Sequence, residues 1–155
     1  MIEIKINNKL IDNANRKAKE LGHLNNSIRC GEGIFIGFLG EELVKQHLGL
    51  TDSNTYDFDL IYKNKKLEVK TKERTVQPKS FYNATVAAYN PNQKCDAYVF
   101  TSILKNLSVG WICGFIDKAE FYAKATFNRK GDPETPLFKF KADCYNLTYD
   151  KLHMI

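Results

Sequence analysis

One stretch, residues 56–72, limits the possible folds of this chain more than any other. It reads YDFDLIYKNKKLEVKTK, two alternating runs of polar and apolar residues around a short polar turn at Asn64-Lys65. Alternation at period two sends successive side chains to opposite faces of a strand. A short polar turn between two such runs folds them into a hairpin. With Asn64 and Lys65 as the turn, Lys63 pairs with Lys66, Tyr62 with Leu67, Ile61 with Glu68, Leu60 with Val69 and Asp59 with Lys70. Directly paired residues share a face. Asp59, Glu68 and Lys70 then form a triangle on one face, with Asp57 one step further out opposite Lys72. Leu60, Tyr62, Leu67 and Val69 occupy the other face.

The segments around the hairpin read as alternating helix and strand. Residues 1–6 alternate as a short strand or arm. Leu10, Ala14, Ala18 and Leu21 recur at helical spacing, and Gly22 is a stop signal. A second helix is expected over Ile34–Leu48, with Leu39, Leu43, Val44 and Leu48 as its buried stripe and Gly49 as its terminator. Gly37 and Gly40 weaken that helix, and they suit one pressed closely on a sheet. Further strands are expected at 81–89, 97–104 and 108–116, a short helix at 117–125, a turn at Lys130-Gly131-Asp132 and a strand at 137–141. This order predicts an α+β fold, or layered α/β.

At 155 residues the chain has the size of one domain. A formal net charge of +5 permits a polyanionic partner without requiring one. Cys30, Cys95, Cys113 and Cys144 form no CxxC pair and stand at no zinc-finger spacing from His23, His47 or His153, so buried free thiols in a reduced compartment are expected. The opening residues carry charges too early for a signal peptide, and no apolar run reaches membrane-spanning length. The expectation is an intracellular, cytoplasmic protein.

Two carboxylates and an ammonium on one face are costly to hold together without a purpose. A hard divalent cation such as Mg²⁺ resolves the repulsion, takes oxygen ligands and usually keeps several waters, one of which can act as a nucleophile. A neighbouring lysine can orient that water or stabilise charge on a phosphorane. Lys63, Lys65, Lys66, Lys70, Lys72, Arg74 and Lys79 make the same region basic, which suits a surface that follows phosphates; an edge of lysines that discourages aggregation would look the same. Tyr82 and Tyr89 offer rings for base stacking or for packing, and Trp111 reads as core.

The pattern D-x(8)-E-V-K, from Asp59 to Lys70, resembles the PD-(D/E)XK nuclease signature, and GFLGEELVKQHLG resembles the glycine-glutamate helix opening of that superfamily. The likeness spans about residues 33–104 and extends to phage-encoded members; no proline precedes either aspartate. It implies a restriction-endonuclease-like core: a mixed sheet of about five strands flanked by helices. Residues 56–62, 66–72 and 81–89 would form a meander, followed by a short second helix around Pro91–Asp96 and a last strand at 97–104. Residues 10–21 would be an N-terminal helix and 117–155 a C-terminal extension.

The same resemblance implies Mg²⁺- or Mn²⁺-dependent hydrolysis of DNA leaving a 5′-phosphate, in a phage-infected or mobile-element context. Asp59, Glu68 and the Val69 carbonyl would hold the metal. Lys70 would position water, and Glu41 would complete the site, with Glu42 and Asp57 as alternates. Lys66, Lys72, Arg74 and Lys79 would contact nucleic acid, with Gln93 or Lys94 also turned towards it. Many relatives act as dimers, and the apolar strands at 97–116 would serve a homodimer interface as well as a core.

Overall fold

The most continuously apolar strand of the chain takes the middle of the main sheet. The structure, a computed structural model, describes residues 1–21, 32–51, 58–89 and 93–155, with Glu32 described by its backbone alone. Strand β5 (Ala97–Leu104) is buried along nearly its whole length. That suits a strand covered on both faces. It pairs in parallel with β3 (Lys65–Arg74) and antiparallel with β6 (Val109–Asp117). β1 (Ile2–Lys5) borders β6, and β2 (Leu60–Tyr62) borders β3, which completes a mixed five-stranded sheet in the order β1-β6-β5-β3-β2. The α+β architecture expected from the sequence is the one observed.

Two layers cover this sheet. On one face lies helix α2 (Glu32–Leu48), with α1 (Asn8–Leu21) packed against it. Leu39, Leu43 and Val44 are fully buried there, as their spacing predicts, against Leu67, Val69, Val99, Ile103 and Ile112. Each of those side chains is worth about 1.5–3 kcal/mol on leaving water. At the crossing, an added Cβ on Gly40 would lie 2.0 Å from the Thr71 hydroxyl oxygen and 2.6 Å from that of Thr101. Only a glycine lets the helix sit so low. Gly49, at φ +64°, ends the helix in the left-handed conformation that glycine adopts freely.

On the other face lies a second sheet, β4-β10-β7, formed by β4 (Asn83–Ala87), β10 (Cys144–Thr148) and β7 (Thr126–Asn128), together with α3 (Lys118–Lys124). Ala84, Val86 and Leu147 of this layer, with Phe121 of α3, pack on Tyr98, Phe100 and Trp111. The expected C-terminal extension therefore builds most of the second layer; its remaining pieces, β8 (Pro133–Thr135) and β9 (Phe138–Lys139), pair with each other. The strands considered for a dimer interface, β5 and β6, are buried within the chain. Cys95, Cys113 and Cys144 are buried free thiols, and Cys30 lies outside the described residues. No helix among the described residues is long and apolar enough to cross a membrane.

Three expectations need correction. The hairpin turns at Lys63-Asn64, both at positive φ (47° and 62°), and pairs Tyr62 with Lys65, Ile61 with Lys66 and Leu60 with Leu67. Moving the turn by one residue shifts every pairing by two, so each side chain keeps its face. Leu60 consequently stands across from Leu67 instead of Val69, and Asp59, just before the strand, donates its N–H to the Leu67 carbonyl instead of pairing with Lys70.

The segment at 81–89 does form a strand, but β4 pairs with β10 in the second sheet and is no part of a meander. The interior place beside β3 goes to β5, which is apolar on both faces, whereas β4 alternates buried and half-buried residues. Residues 93–96 form no helix, and residues 91 and 92 of the short helix expected there lie outside the described residues.

Candidate active site

Along β3 the two faces carry different chemistry. Leu67 and Val69 point to α2, while Lys66, Glu68, Lys70, Lys72 and Arg74 alternate onto the side of the second layer. Among the described residues β2 pairs only with Lys65–Leu67, so from Glu68 onward the outer edge of β3 has no strand partner. A backbone N–H left at such an edge needs an acceptor. Asp59 supplies it: its carboxylate Oδ2 accepts from the Val69 N–H at 2.7 Å, while its own N–H donates to the Leu67 carbonyl at 3.0 Å. The N–H and C=O of one strand residue leave on the same edge, so the Val69 carbonyl also faces this gap.

Glu68 lies beside it. Its Oε1 accepts from Lys70 Nζ at 2.8 Å and from the Gln93 side-chain amide at 2.6 Å. Lys70 and Glu68 are two apart on one strand, so alternation alone makes them neighbours. Gln93 arrives from the segment before β5, and its own Oε1 is buried without a hydrogen-bond partner.

Glu41 comes from α2, one residue after the glycine that seats the helix on the sheet. Burial, and then the Asp59 charge, push its carboxyl up to about 8, with Glu68 adding to the effect; Lys17 of α1, at 3.7 Å, partly offsets it. Burial and the Glu68 charge likewise push Asp59 up to about 7, against the Val69 N–H and Lys70. Both shifts have the physical sign of carboxylates crowded into a partly dry corner. Three acids from three elements (Glu41, Asp59 and Glu68) thus act on one another.

Glu42 behaves differently. It turns into the α1–α2 interface, where it meets Lys45 at 2.8 Å, Lys17 at 3.1 Å and Asn13 at 3.0 Å. Burial would raise its pKa, but the hydrogen bonds from Lys45, Asn13 and Lys17 prevail and hold it below the ordinary glutamate value. The structure therefore separates Glu41, facing the acidic corner, from Glu42, a buried ionic tie between helices. Asp57 lies outside the described residues.

The oxygen-rich donor set suits a hard divalent cation, which would relieve the repulsion that raises Glu41 and Asp59. Among the described residues no three His, Cys, Asp or Glu side chains converge as a preformed cage. Two carboxylates, a backbone carbonyl and water match the way Mg²⁺ is commonly held, with few protein ligands.

The basic residues divide. Lys66 is exposed over the Phe58 ring at 5.3 Å, and Lys79 is exposed beside Phe81. Arg74 is engaged inside the protein, 4.6 Å from the Tyr82 ring centroid and hydrogen-bonded to Ser102 and Tyr149, so it ties the two layers together. Lys72 points into a cleft between β3 and β4, where it donates to the Thr85 hydroxyl at 2.7 Å. Of the rings, Tyr82 packs with Arg74 and Phe81, whereas Tyr89 is 64% exposed. Trp111 is core, its N–H donating to Glu3.

Thr85 and Asn146, which join Lys72 in a hydrogen-bonded chain, were not singled out from the sequence. They come from strands 61 residues apart, and nothing local marks them. The hold of Gln93 on Glu68 is likewise a tertiary contact that no local pattern marks.

No protein-family model matches the chain, and no curated protein matches it in sequence.

Proposed function

We propose that this protein is a metal-dependent nuclease that hydrolyses DNA phosphodiester bonds, with the restriction-endonuclease-like core that its sequence motifs imply. One observation carries the reading. Glu41, Asp59 and Glu68, brought from α2, the β2 edge and β3, share a partly dry corner, and the first two hold raised pKa values because of it. Lys70 stands 2.8 Å from the third.

Asp59, Glu68 and the Val69 carbonyl would hold Mg²⁺ or Mn²⁺, with Glu41 completing the site. A divalent ion bound there supplies Lewis-acid stabilisation of phosphoryl oxygens and lowers the pKa of water. The chain's own groups do the remainder. The Val69 N–H fixes the Asp59 carboxylate, and the Gln93 amide fixes Glu68. Lys70 places a positive charge where the attacked phosphate would gather negative charge, and it can orient water for in-line attack. Lys66 and Lys79 leave exposed ammonium groups for the nucleic-acid backbone. A phage or mobile-element setting and a homodimer belong to the same proposal as implications of the resemblance.

A second reading is a module that grips nucleic acid without cutting. It is favoured by the double occupation of Glu68 Oε1 by Lys70 and Gln93.

A cleavage assay separates the two readings, using single-stranded, duplex and branched DNA and also RNA, with Mg²⁺, Mn²⁺ or chelator. The nuclease cuts DNA with metal and not with chelator. Glu68→Ala and Lys70→Ala, with unchanged circular dichroism, should each lose about 100-fold or more in rate. Tight binding with no metal-dependent cutting would establish the module instead.

A further inference from the structure

We propose that the cleft beside Lys70 is a second phosphate site, in which Lys72, oriented by Thr85, takes the phosphodiester next to the one being cut, on a single unpaired nucleic-acid strand. This rests on the nuclease reading and specifies how its substrate lies.

Lys70 and Lys72 are two apart on β3, so their side chains leave the same face about 6.6 Å apart along the strand. That interval is comparable to the spacing of successive phosphates in an extended nucleic-acid strand. The cleft they share has a volume of about 440 Å³ and is walled by Thr85 of β4, Phe100 of β5, Tyr149 and Tyr89. It runs between the two sheets, beside β3.

The donors in the cleft are arranged for an anion. Lys72 Nζ donates to Thr85 Oγ1 at 2.7 Å, and the Thr85 hydroxyl donates onward to Asn146 Oδ1 at 2.6 Å. The Asn146 amide is anchored in turn by Asn128 Oδ1 at 2.8 Å. The chain of hydrogen bonds aims the ammonium and uses one of its three protons, leaving two to donate. Among the described residues no carboxylate forms an ion pair with Lys72. Burial pushes its pKa down to about 8, with the Glu134 charge opposing and Arg74 reinforcing the shift. A largely buried ammonium with no ion-pair partner among the described residues is costly, and an arriving phosphate lowers that cost.

The form of nucleic acid follows from the position of the charge. Lys72 is recessed between two layers, so the phosphate must come inside to meet it. A duplex presents its phosphates on a broad cylinder that cannot enter, whereas an unpaired strand can thread the cleft. Tyr89, on the cleft wall and 64% exposed, then offers its ring to a base of that strand.

The test is binding of a fluorescein-labelled single-stranded oligothymidylate, and of the same oligonucleotide in a duplex, measured by anisotropy in chelator over a range of salt. Lys72→Met should weaken single-strand binding about tenfold and reduce the slope of log K against log salt by about 0.7, the loss of one phosphate contact. Lys72→Arg should restore most of both, and duplex binding should change little. Tyr89→Ala, at an exposed position that does not threaten folding, should weaken single-strand binding without altering the slope.

Unchanged affinity and slope in a folded Lys72→Met protein would overturn the site, as would equal losses for single strand and duplex. If the unaltered protein cuts DNA while Lys72→Met binds normally, the subsite alone fails. If it never cuts but the Lys72 effects hold, the nuclease reading fails and the strand-binding site stands.

Discussion

Glu41 and Glu42 are neighbours on one helix, and they mark two opposite ways of burying a negative charge. Glu42 is 3% exposed and surrounded by Lys45, Lys17 and Asn13, so its charge is met and its pKa falls. Glu41, one residue earlier, faces Asp59 and Glu68 and has Lys17 only at 3.7 Å; its pKa rises to about 8. A helix turns about 100° per residue, so adjacent side chains belong to different surroundings. The difference teaches how one fold can treat two like charges. The first is compensated within the fold, and the second is left for something outside it to compensate.

Removing Glu42 is the most drastic way to break this contrast. Glu42→Gln leaves Lys45 and Lys17 buried beside a neutral amide, and breaking a buried pair in this way costs about 3–5 kcal/mol. Urea unfolding should register that loss, while under the proposed nuclease reading the protein that remains folded should cut DNA as fast as the parent. A folded Glu42→Gln protein devoid of activity would reverse the assignment of the two residues.

Glu41→Gln should do the opposite. It removes a repelling acid, so stability in chelator at pH 8 should hold or rise. Affinity for Mn²⁺, followed by calorimetry, should fall about 10–100-fold. Equal Mn²⁺ affinity in the variant and the parent would remove Glu41 from the site.

The mildest probe is pH. A carboxyl whose pKa is raised by folding binds its proton more tightly in the folded state, so stability declines as pH rises from the ordinary carboxylate range. For Asp59 and Glu41 that contribution is present below about pH 4 and is lost as pH passes about 7 and then about 8. Urea midpoints in chelator should therefore drift down between pH 5 and 8. Mn²⁺ should counter the drift increasingly at the upper end, because its ligands must be ionised. Glu41→Gln should flatten the chelator curve and Glu42→Gln should not.

Much of this site was legible in the sequence because strand alternation is a local rule. Asp59 reaches the β3 edge through the Val69 N–H, and the common face of Glu68 and Lys70 follows from period two alone. The register does not, because it depends on Lys63 accepting positive φ, which lysine shows no preference for. Gly40 signalled a close crossing by its missing side chain, and the structure places Glu41 at that crossing. The partner of β4 was beyond reach, since residues 83–87 read as a strand whichever neighbour they take. The cleft around Lys72 was hidden for the same reason. It exists only because β10, near the end of the chain, carries β4 and Asn146 to the far side of β3.

Gly40 has a consequence for how far this site can drift as its sequence changes. Even a methyl group at that point would act as a shim between helix and sheet, lifting the glutamate beside it away from the two acids it must meet. The helix can exchange most of its outward side chains freely, but its height above Thr71 and Thr101 is a dimension held by a single hydrogen atom. Divergent chains that preserve the chemistry while losing every other resemblance should still show a gap of that size immediately before the acid.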